Sequence, residues 1–257
     1  AAVVLLTSLG EGVHRYVLGE FTQFGTNLIG ITPGKTSTTG FSGAIISNVR
    51  PLSLSDAESL EKVPQVRAVV PFVQGNAEVE YGNLRRRATI YGAGPGMPEA
   101  FRMDVRIGRF LPEDNPTAPR AFAVLGSKMR SELFRDDNPL GRLITIAGSR
   151  FRVVGVMESK GTVLGFDLDD TVYIPAARAM NLFNVDGLVE IDVMYEEGTP
   201  VEHVVAGIRR VLIARHGRDD VTVTTQQQML DVLGGVLDVL TFAVASIGGI
   251  SLLVGAI

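Results

Sequence analysis

The chain contains no cysteine among its 257 residues and only three histidines. The lack of cysteine excludes disulfides, thiolate-bound zinc, iron–sulfur clusters and a cysteine nucleophile. The histidines, His14, His203 and His216, are scattered along the chain, which argues against a histidine-rich metal site. A net charge of −4 gives little electrostatic support to nucleic-acid binding. We therefore expect no nucleic-acid partner, no metal and no cofactor.

Charge is also missing from both ends of the sequence. No charged residue precedes Glu11, and none follows Asp238. Because about 20 apolar residues span a bilayer as a helix, we expect residues 240–257 to start one transmembrane helix and residues 1–10 to end another. A buried core helix is the alternative for the C-terminal run. The opening stretch has no basic region and no cleavage site, so it does not match a secretory signal peptide.

Apolar residues recur at helical spacing just inside each uncharged end. This spacing predicts two amphipathic stalk helices, over 11–26 and 226–239, that connect the lipid bilayer to a globular part. We expect their apolar stripes to pack against each other or against the globular part, and to transmit motion. The candidate coupling residues are Val13, Tyr16, Val17, Phe21, Met229, Leu233, Val236, Leu237 and Leu240.

A strand–helix–strand pattern occurs twice between the stalks. In the first copy, "SLSDAESLEKVPQ" predicts the helix, with Ser53 or Ser55 as N-cap and Glu58 as the capping-box partner of Ser55. The second copy runs from "LVEIDVMYEEG" to "DVTVTTQ". Two such units predict an α+β fold with a split β-α-β, ferredoxin-like domain of the porter type. Its two parts would cover 27–97 and 186–225.

The stretch between these parts, 98–185, is predicted to be an inserted, mainly β subdomain. A hairpin turning at Gly82-Asn83 leads out of the first unit, and a second hairpin turns about Gly148-Ser149. The segment "SKMRSELF" predicts a short helix capped by Ser127.

Two glycine-rich stretches resemble nucleotide-binding loops. In "GITPGKTSTTG" the spacing of Gly30 and Gly34 does not fit a Walker motif, which favours a flexible loop. In "GAGPGM", Pro98 follows directly, and we expect it to block the helix that would receive a pyrophosphate. A hinge between subdomains is the preferred interpretation, and no ATPase activity is expected in this chain.

Three charged clusters are better explained by structure than by chemistry. "ARHGRDD" contains a phosphohistidine-like triplet, but Arg, His and Gly are also typical of a helix end, here at Gly217. "GFDLDDT" could bind a hard cation such as Ca²⁺, although carboxylates capping backbone amides are preferred. In "NLRRRAT", strand alternation turns Arg86 away from its two neighbours. Nothing assembles a nucleophile, a base and an orienting group, so the chain is not expected to be an enzyme.

Three longer stretches together resemble one family. They are "GEGVHRYVLGEFTQFGTNLIGITPG", "LFRDDNPLGRLITIAGSRFRVVGVMESKG" and "TTQQQMLDVLGGVLDVLTFAVASIGGISLLVGAI". In combination they are similar to the extracytoplasmic domain of MacB-like ABC transporter permeases, a group that includes lipoprotein-releasing and FtsX-like permeases. The resemblance covers nearly the whole chain.

The resemblance implies more than the residues alone predict. Such permeases work as dimers of two permease copies, driven by an ABC ATPase subunit or domain, and some dock a periplasmic adaptor protein. It implies an inner-membrane protein whose extracytoplasmic domain transmits motion during export. The alternative is an FtsX-like sensor or regulatory domain that binds a peptide or activates a cell-wall enzyme.

Overall fold

The computed structural model describes most of the chain between the two stalks. The described residues are 27–35, 50–116, 118–163, 166–232, 234–236, 239, 242, 243 and 246. The predicted membrane segment 1–10 and the N-terminal stalk 11–26 lie outside them. Within the described part of the chain, no helix combines the length and apolar character needed to cross a membrane.

The described residues form twelve strands and five named helices. The strands are β1 (Leu28–Pro33), β2 (Val66–Tyr81), β3 (Leu84–Ala93), β4 (Val105–Gly108), β5 (Phe122–Leu125), β6 (Leu143–Ile146), β7 (Ser149–Met157), β8 (Thr162–Val163), β9 (Phe166–Asp167), β10 (Thr171–Pro175), β11 (Glu190–Tyr195) and β12 (Val221–Thr225). The helices are α1 (Leu54–Leu60), α2 (Met97–Ala100), α3 (Ser127–Phe134), α4 (Ala176–Phe183) and α5 (Val201–His216).

Four strands form the ferredoxin-like half of the molecule. Their order is β12-β1-β11-β2, and every neighbouring pair is antiparallel. Helix α1 joins β1 to β2, and α5 joins β11 to β12. In each of these β-α-β units the two strands are separated by one strand of the other unit: β11 lies between β1 and β2, and β1 lies between β11 and β12. This arrangement confirms the predicted α+β, split β-α-β fold.

The strands β3 to β7 and β10 form the second half. The sheet continues from β2 in the order β3-β10-β5-β7-β4, and β6 bridges β2 and β7. The hairpin predicted at Gly82-Asn83 is confirmed, because β2 ends at Tyr81 and β3 begins at Leu84. The hairpin between β6 and β7 is also confirmed, but it turns at Ala147-Gly148, one residue earlier than predicted.

Strand β2 belongs to both halves of the molecule. Its residues Val66–Phe72 pair with β11, and its residues Val73–Tyr81 pair with β3. The two halves therefore share one continuous strand of 16 residues instead of being joined by a linker. The exact limits of an inserted subdomain at 98–185 stay a prediction.

The main hydrophobic core is also continuous across both halves. Helices α1 and α5 cover one face of the ferredoxin-like strands, and α3 and α4 cover the second half, with Leu60, Ile208, Met129 and Ala179 almost fully buried. The opposite face carries a smaller core around Tyr91 and the residues that follow β3. The close approach of α4 to β3 needs Gly92, because a Cβ there would lie 2.3 Å from Ala179 Cβ.

Two local predictions were wrong, and a third was right only in part. The N-cap of α1 is Ser53, one of the two serines predicted, but its capping-box partner is Asp56 and not Glu58: Asp56 N donates to Ser53 Oγ at 3.2 Å, and Ser53 N donates to Asp56 Oδ2 at 2.9 Å. Ser127 is the first residue of α3, and its N-cap is Gly126, which has no side chain to accept a bond. Pro98 does not block a helix, since proline is tolerated in the first turn of α2.

Candidate coupling surface

The last strand of the ferredoxin-like half passes directly into a helix, which we call the C-terminal helix. Gln228 N donates to Thr225 Oγ1 at 3.2 Å, and Thr225 N donates to Gln228 Oε1 at 3.0 Å. These reciprocal bonds form a capping box. They tie the first turn of the helix to the end of β12. The helical residues that the structure describes here are 226–232, 234–236, 239, 242, 243 and 246.

Apolar side chains line one exposed face of this helix. Their spacing of three, four and three residues places them on one side. Gln227 and Asp231, whose side chains are hydrogen-bonded to each other at 2.8 Å, occupy the opposite side. We call the apolar face the C-terminal stripe, and the exposed fractions of its members are 39% for Met229, 67% for Val232, 52% for Val236 and 69% for Val239.

The structure places two of the predicted coupling residues on this stripe. Met229 and Val236 are both exposed and lie on the same face of the helix. Val239 and Phe242, which were not among the predicted coupling residues, are also exposed. Val239 is the last residue of the predicted stalk, and Phe242 lies in the predicted membrane segment 240–257. The other predicted coupling residues lie outside the described residues: Val13, Tyr16, Val17, Phe21, Leu233, Leu237 and Leu240.

The two strands nearest the stalks end side by side. Strands β1 and β12 are antiparallel, and Ile29 near the start of β1 pairs with Thr225 at the end of β12. At the other end of the pair, Thr222 Oγ1 donates to Gly34 O at 2.6 Å. Asp219, just before β12, lies 2.9 Å from Lys35 Nζ and 3.0 Å from Arg209 Nη1. Both ends of the β1–β12 pair are therefore anchored.

A buried ionic cluster joins α1 to the end of α5. Arg215 Nε donates to Asp56 Oδ1 at 2.6 Å, and His216 Nδ1 lies 2.6 Å from Asp220 Oδ1. His216 Nε2 lies 3.3 Å from Asp56 Oδ2, and neither side chain has any exposed surface. The end of α5 at Gly217, which is left-handed with φ of 76°, confirms the helix-end interpretation of "ARHG".

The surroundings of Asp56 favour its ionised form. Burial on its own raises the pKa of the carboxyl, but the hydrogen bonds from Ser53 and Arg215 outweigh burial and lower the pKa to about 2. Asp220 shows the same balance, with a lowered pKa because His216 and Arg218 donate to it. Sequence reasoning missed Asp56 because it lies 159 residues before Arg215 and carries no local signal of that contact.

The acidic turn before β10 works as a backbone cap. Asp167 Oδ1 accepts from the amides of Asp169 and Asp170 at 3.1 and 3.2 Å, and Asp169 accepts from Lys160 N at 2.9 Å. Asp170 forms a bidentate pair with Arg86, with distances of 2.7 and 2.6 Å. The preferred interpretation of this turn is confirmed, and Arg86 points away from its neighbours as predicted.

Comparison with known sequences gives one family. The model of the MacB-like periplasmic core domain matches residues 1–211. The macrolide export ATP-binding/permease protein MacB of Marinobacter nauticus is 29% identical over 100% of this chain and 40% of its own length. The pyoverdine export ATP-binding/permease protein PvdT of Pseudomonas savastanoi pv. phaseolicola is 31% identical over 100% of this chain and 39% of its own length.

Solved structures show the same fold. The periplasmic region of MacB from Actinobacillus actinomycetemcomitans superposes with a TM-score of 0.68 at 22% identity, covering 85% of this chain and 98% of that one. The extracellular domain of the ABC-type transporter YknZ from Gram-positive bacteria gives a TM-score of 0.63 at 19% identity, covering 77% and 100%. The chain thus spans about two-fifths of the curated relatives, at 40% and 39% of their length, and nearly the full length of the solved domains.

Proposed function

The chain belongs to the family of MacB-like periplasmic core domains, and from this premise we propose that it transmits ATP-driven motion in an ABC exporter. It is the extracytoplasmic domain of the permease, on the outer side of the cytoplasmic membrane. ATP hydrolysis takes place on an ABC ATPase domain or subunit outside this chain. The relatives' names, which join export, ATP binding and permease, support this assignment.

The observation that carries the proposal is the C-terminal stripe. An exposed row of apolar side chains costs free energy in water unless another surface covers it. The capping box at Thr225 fixes the stripe relative to β12, so a partner that moves the helix also moves the sheet. We propose that this partner is the N-terminal stalk of the same chain or the corresponding stalk of a second permease copy in a dimer.

The same proposal implies one further partner, and one alternative function has less support. A periplasmic adaptor protein would dock on the part of the domain farthest from the lipid bilayer. The FtsX-like alternative, a sensor that binds a peptide or activates a cell-wall enzyme, has weaker support, because relatives such as MacB and PvdT are named as exporters.

Val236→Glu in the full-length transporter tests the coupling role. A charge in the middle of a covered apolar stripe costs several kcal/mol, so we expect export to fall by about tenfold or more. ATP hydrolysis should remain within about twofold, because the substitution lies outside the ATPase. Export of a macrolide and export of pyoverdine, the two activities named for relatives, serve as readouts beside ATP hydrolysis in detergent.

Gly234→Glu is the matched control. It adds the same charge to the same helix, on the side of Gln227 and Asp231, where no described residue lies within 4 Å of the position of its Cβ. We expect normal export from this variant. Normal export from the Val236→Glu variant as well would refute the coupling role of the stripe.

A further inference from the structure

Two carboxylates share the face of β11 that lies opposite α1 and α5. Ile191 and Val193 point from β11 into the main core and have no exposed surface. Because successive side chains of a strand alternate between its two faces, Glu190 and Asp192 both lie on the opposite face. Both are half-buried there. Two acidic side chains at neighbouring positions of one face are therefore partly removed from water.

Both carboxylates lie over the backbone of Gly30 in β1. Gly30 pairs with Asp192 across the two strands. A Cβ at position 30 would overlap with Glu190 Oε1 and would lie 3.9 Å from Asp192 Oδ1. The φ of Gly30 is outside the left-handed region, so glycine is needed here for space and not for its backbone conformation. The lack of a side chain at Gly30 leaves the room in which the two carboxylates approach each other.

The neighbouring strands bring no charge to this pair of carboxylates. On β2, Phe72 pairs with Glu190, and Val70 pairs with Asp192. On β1 and β12, the nearest paired positions hold glycine and threonine. The stretch 36–49, between β1 and α1, contains no ionisable residue. The two carboxylates therefore border apolar and uncharged side chains of the sheet.

The helix packed against β11 brings no counter-ion either. Helix α2 contacts β11, and its one charged residue is Glu99, which lies 2.8 Å from Arg67. Within the part of the chain that the structure describes, no positively charged group acts on either carboxylate. The negative charges of Glu190 and Asp192 therefore face each other without a described partner of opposite sign.

Burial and repulsion both favour the binding of a proton by this pair. Burial raises the pKa of Asp192 well above its usual value of 3.8, and the charge of Glu190 raises it further. Burial also raises the pKa of Glu190. A proton that binds to two carboxyls so close together belongs to the pair and not to either residue alone.

We propose that Glu190 and Asp192 form a proton-dependent switch between β1 and β11. With one proton held between them, the two carboxyls share the space over Gly30. When that proton is lost, two negative charges repel each other beside a β1–β11 pairing that covers only Leu28–Ile31 on β1, and β1 separates more readily from β11. The inference goes beyond the proposed coupling role and does not depend on it.

The switch should make the stability of the fold decrease as the pH rises. An acid whose pKa is raised in the folded state keeps its proton at pH values where the unfolded chain has released it. The resulting destabilisation is absent below about pH 4, the ordinary pKa of aspartate. It increases above that value until the pH passes the raised pKa of the pair.

Asp192→Asn tests the switch through thermal unfolding of the 257-residue chain in detergent. Asparagine keeps the shape of a protonated aspartate and cannot ionise. We expect the variant to unfold about 2–4 °C or more above the parent at pH 8, and at nearly the same temperature as the parent at pH 4. Glu197→Gln is the control, because it removes the same charge from an exposed position just beyond β11 and should match the parent at both pH values.

Two measurements on the parent test the switch without relying on the folding of a variant. At pH 6, infrared spectroscopy should show the absorption of a protonated carboxyl, which disappears as the pH rises and which Asp192→Asn lacks. Over the same pH range, protection of the Ile29 and Ile31 amides against hydrogen exchange, corrected for the intrinsic rate, should fall about fivefold or more in the parent only. A parent without a protonated carboxyl at pH 6, protection of β1 that does not change with pH, or an Asp192→Asn variant no more stable than the parent at pH 8 would each overturn the proposal.

Discussion

At the scale of single residues, Asp56 connects three parts of the ferredoxin-like half. Its carboxylate caps α1 through Ser53, pairs with Arg215 at 2.6 Å and lies beside His216. The Asp56 side chain has no exposed surface, whereas that of Arg215 is 33% exposed. A buried charge contributes to stability mainly because removing its partner leaves it uncompensated. Asp56 is therefore the position where a change of one charge should be most costly in this half.

Acid should weaken the protein partly through Asp56. The pKa of its carboxyl is lowered to about 2 from its usual 3.8, so its contribution is full above pH 4 and is lost as the pH falls from 4 to 2. The size of that contribution is about 2 kcal/mol. Between pH 4 and pH 2, the parent chain should lose about 2 kcal/mol more unfolding free energy than Asp56→Asn does. Denaturant unfolding at the two pH values measures this difference.

Asp136→Asn is the control for this experiment, because Asp136 is exposed. Its unfolding free energy should stay within about 0.5 kcal/mol of the parent at pH 7, whereas Asp56→Asn should be destabilised by about 2–3 kcal/mol. If Asp56→Asn and the parent lose the same free energy on acidification, the cluster does not stabilise the fold through this charge.

At the scale of elements, the C-terminal helix contains a weak point. Gly234 and Gly235 are adjacent within it, and no residue in the described part of the chain lies within 4 Å of the position of a Cβ at either. Glycine lowers helix stability by roughly 1 kcal/mol relative to alanine. The helix is therefore easiest to bend directly beside Val236 on the stripe.

Alanine at these two positions should stiffen the helix. For Gly234→Ala and Gly235→Ala, the stabilisation of about 1 kcal/mol each should slow amide exchange of residues 229–236 by roughly fivefold. Gly217→Ala is the control, and we expect it to lower stability instead of raising it. Gly217 caps α5 with φ of 76°, and alanine is strained in that conformation. Faster exchange in the Gly234→Ala variant would show that the helix does not continue through this position.

Elements could be predicted from the sequence where a local pattern determines them. The alternation of Ile191 and Val193 in β11 and the left-handed Gly217 after α5 follow from periodicity and end signals. The sequence could not choose between Ser53 and Ser55 as the N-cap of α1, because each is followed three residues later by an acidic residue, and the predicted partner Glu58 was wrong. Contacts such as Arg86 with Asp170 had no local signal, because 84 residues separate them. Most of the predicted coupling residues lie outside the described part of the chain, so their role stays a prediction.

At the scale of the whole molecule, the two halves share both a strand and a core. Strand β2 pairs with β11 in one half and with β3 and β6 in the other. One continuous set of buried side chains extends from α5 to β6. We expect the described sheet to unfold as a single cooperative unit. If β2 detached from one half, the buried side chains that the two halves share would be exposed to water in both.

Ile146→Ala in β6 tests this cooperativity at a distance. Ile146 is fully buried, so the cavity should cost about 2–5 kcal/mol. Native-state hydrogen exchange should show the same loss of protection at Ile144, near the substitution, and at Ile31 and Ile208 in the ferredoxin-like half. Leu143→Ala, on the same strand but 49% exposed, should leave all three nearly unchanged. A loss confined to Ile144 would mean that the halves open independently.

The pairing of β1 with β12 determines which pulling directions the domain can resist. The start of β1 and the end of β12 lie together at the Ile29–Thr225 pair, so two tethers attached there leave the sheet at one corner. A pull that draws both tethers along the strand axis loads the bonds to the neighbouring strands in shear, where several must break at once. A pull that spreads the tethers apart loads the Ile29–Thr225 pair first. The hydrogen bonds between β1 and β12 would then break one after another. The resistance of the domain to force therefore depends on direction. It is high when both tethers are pulled along the strand axis and low when the tethers are pulled apart.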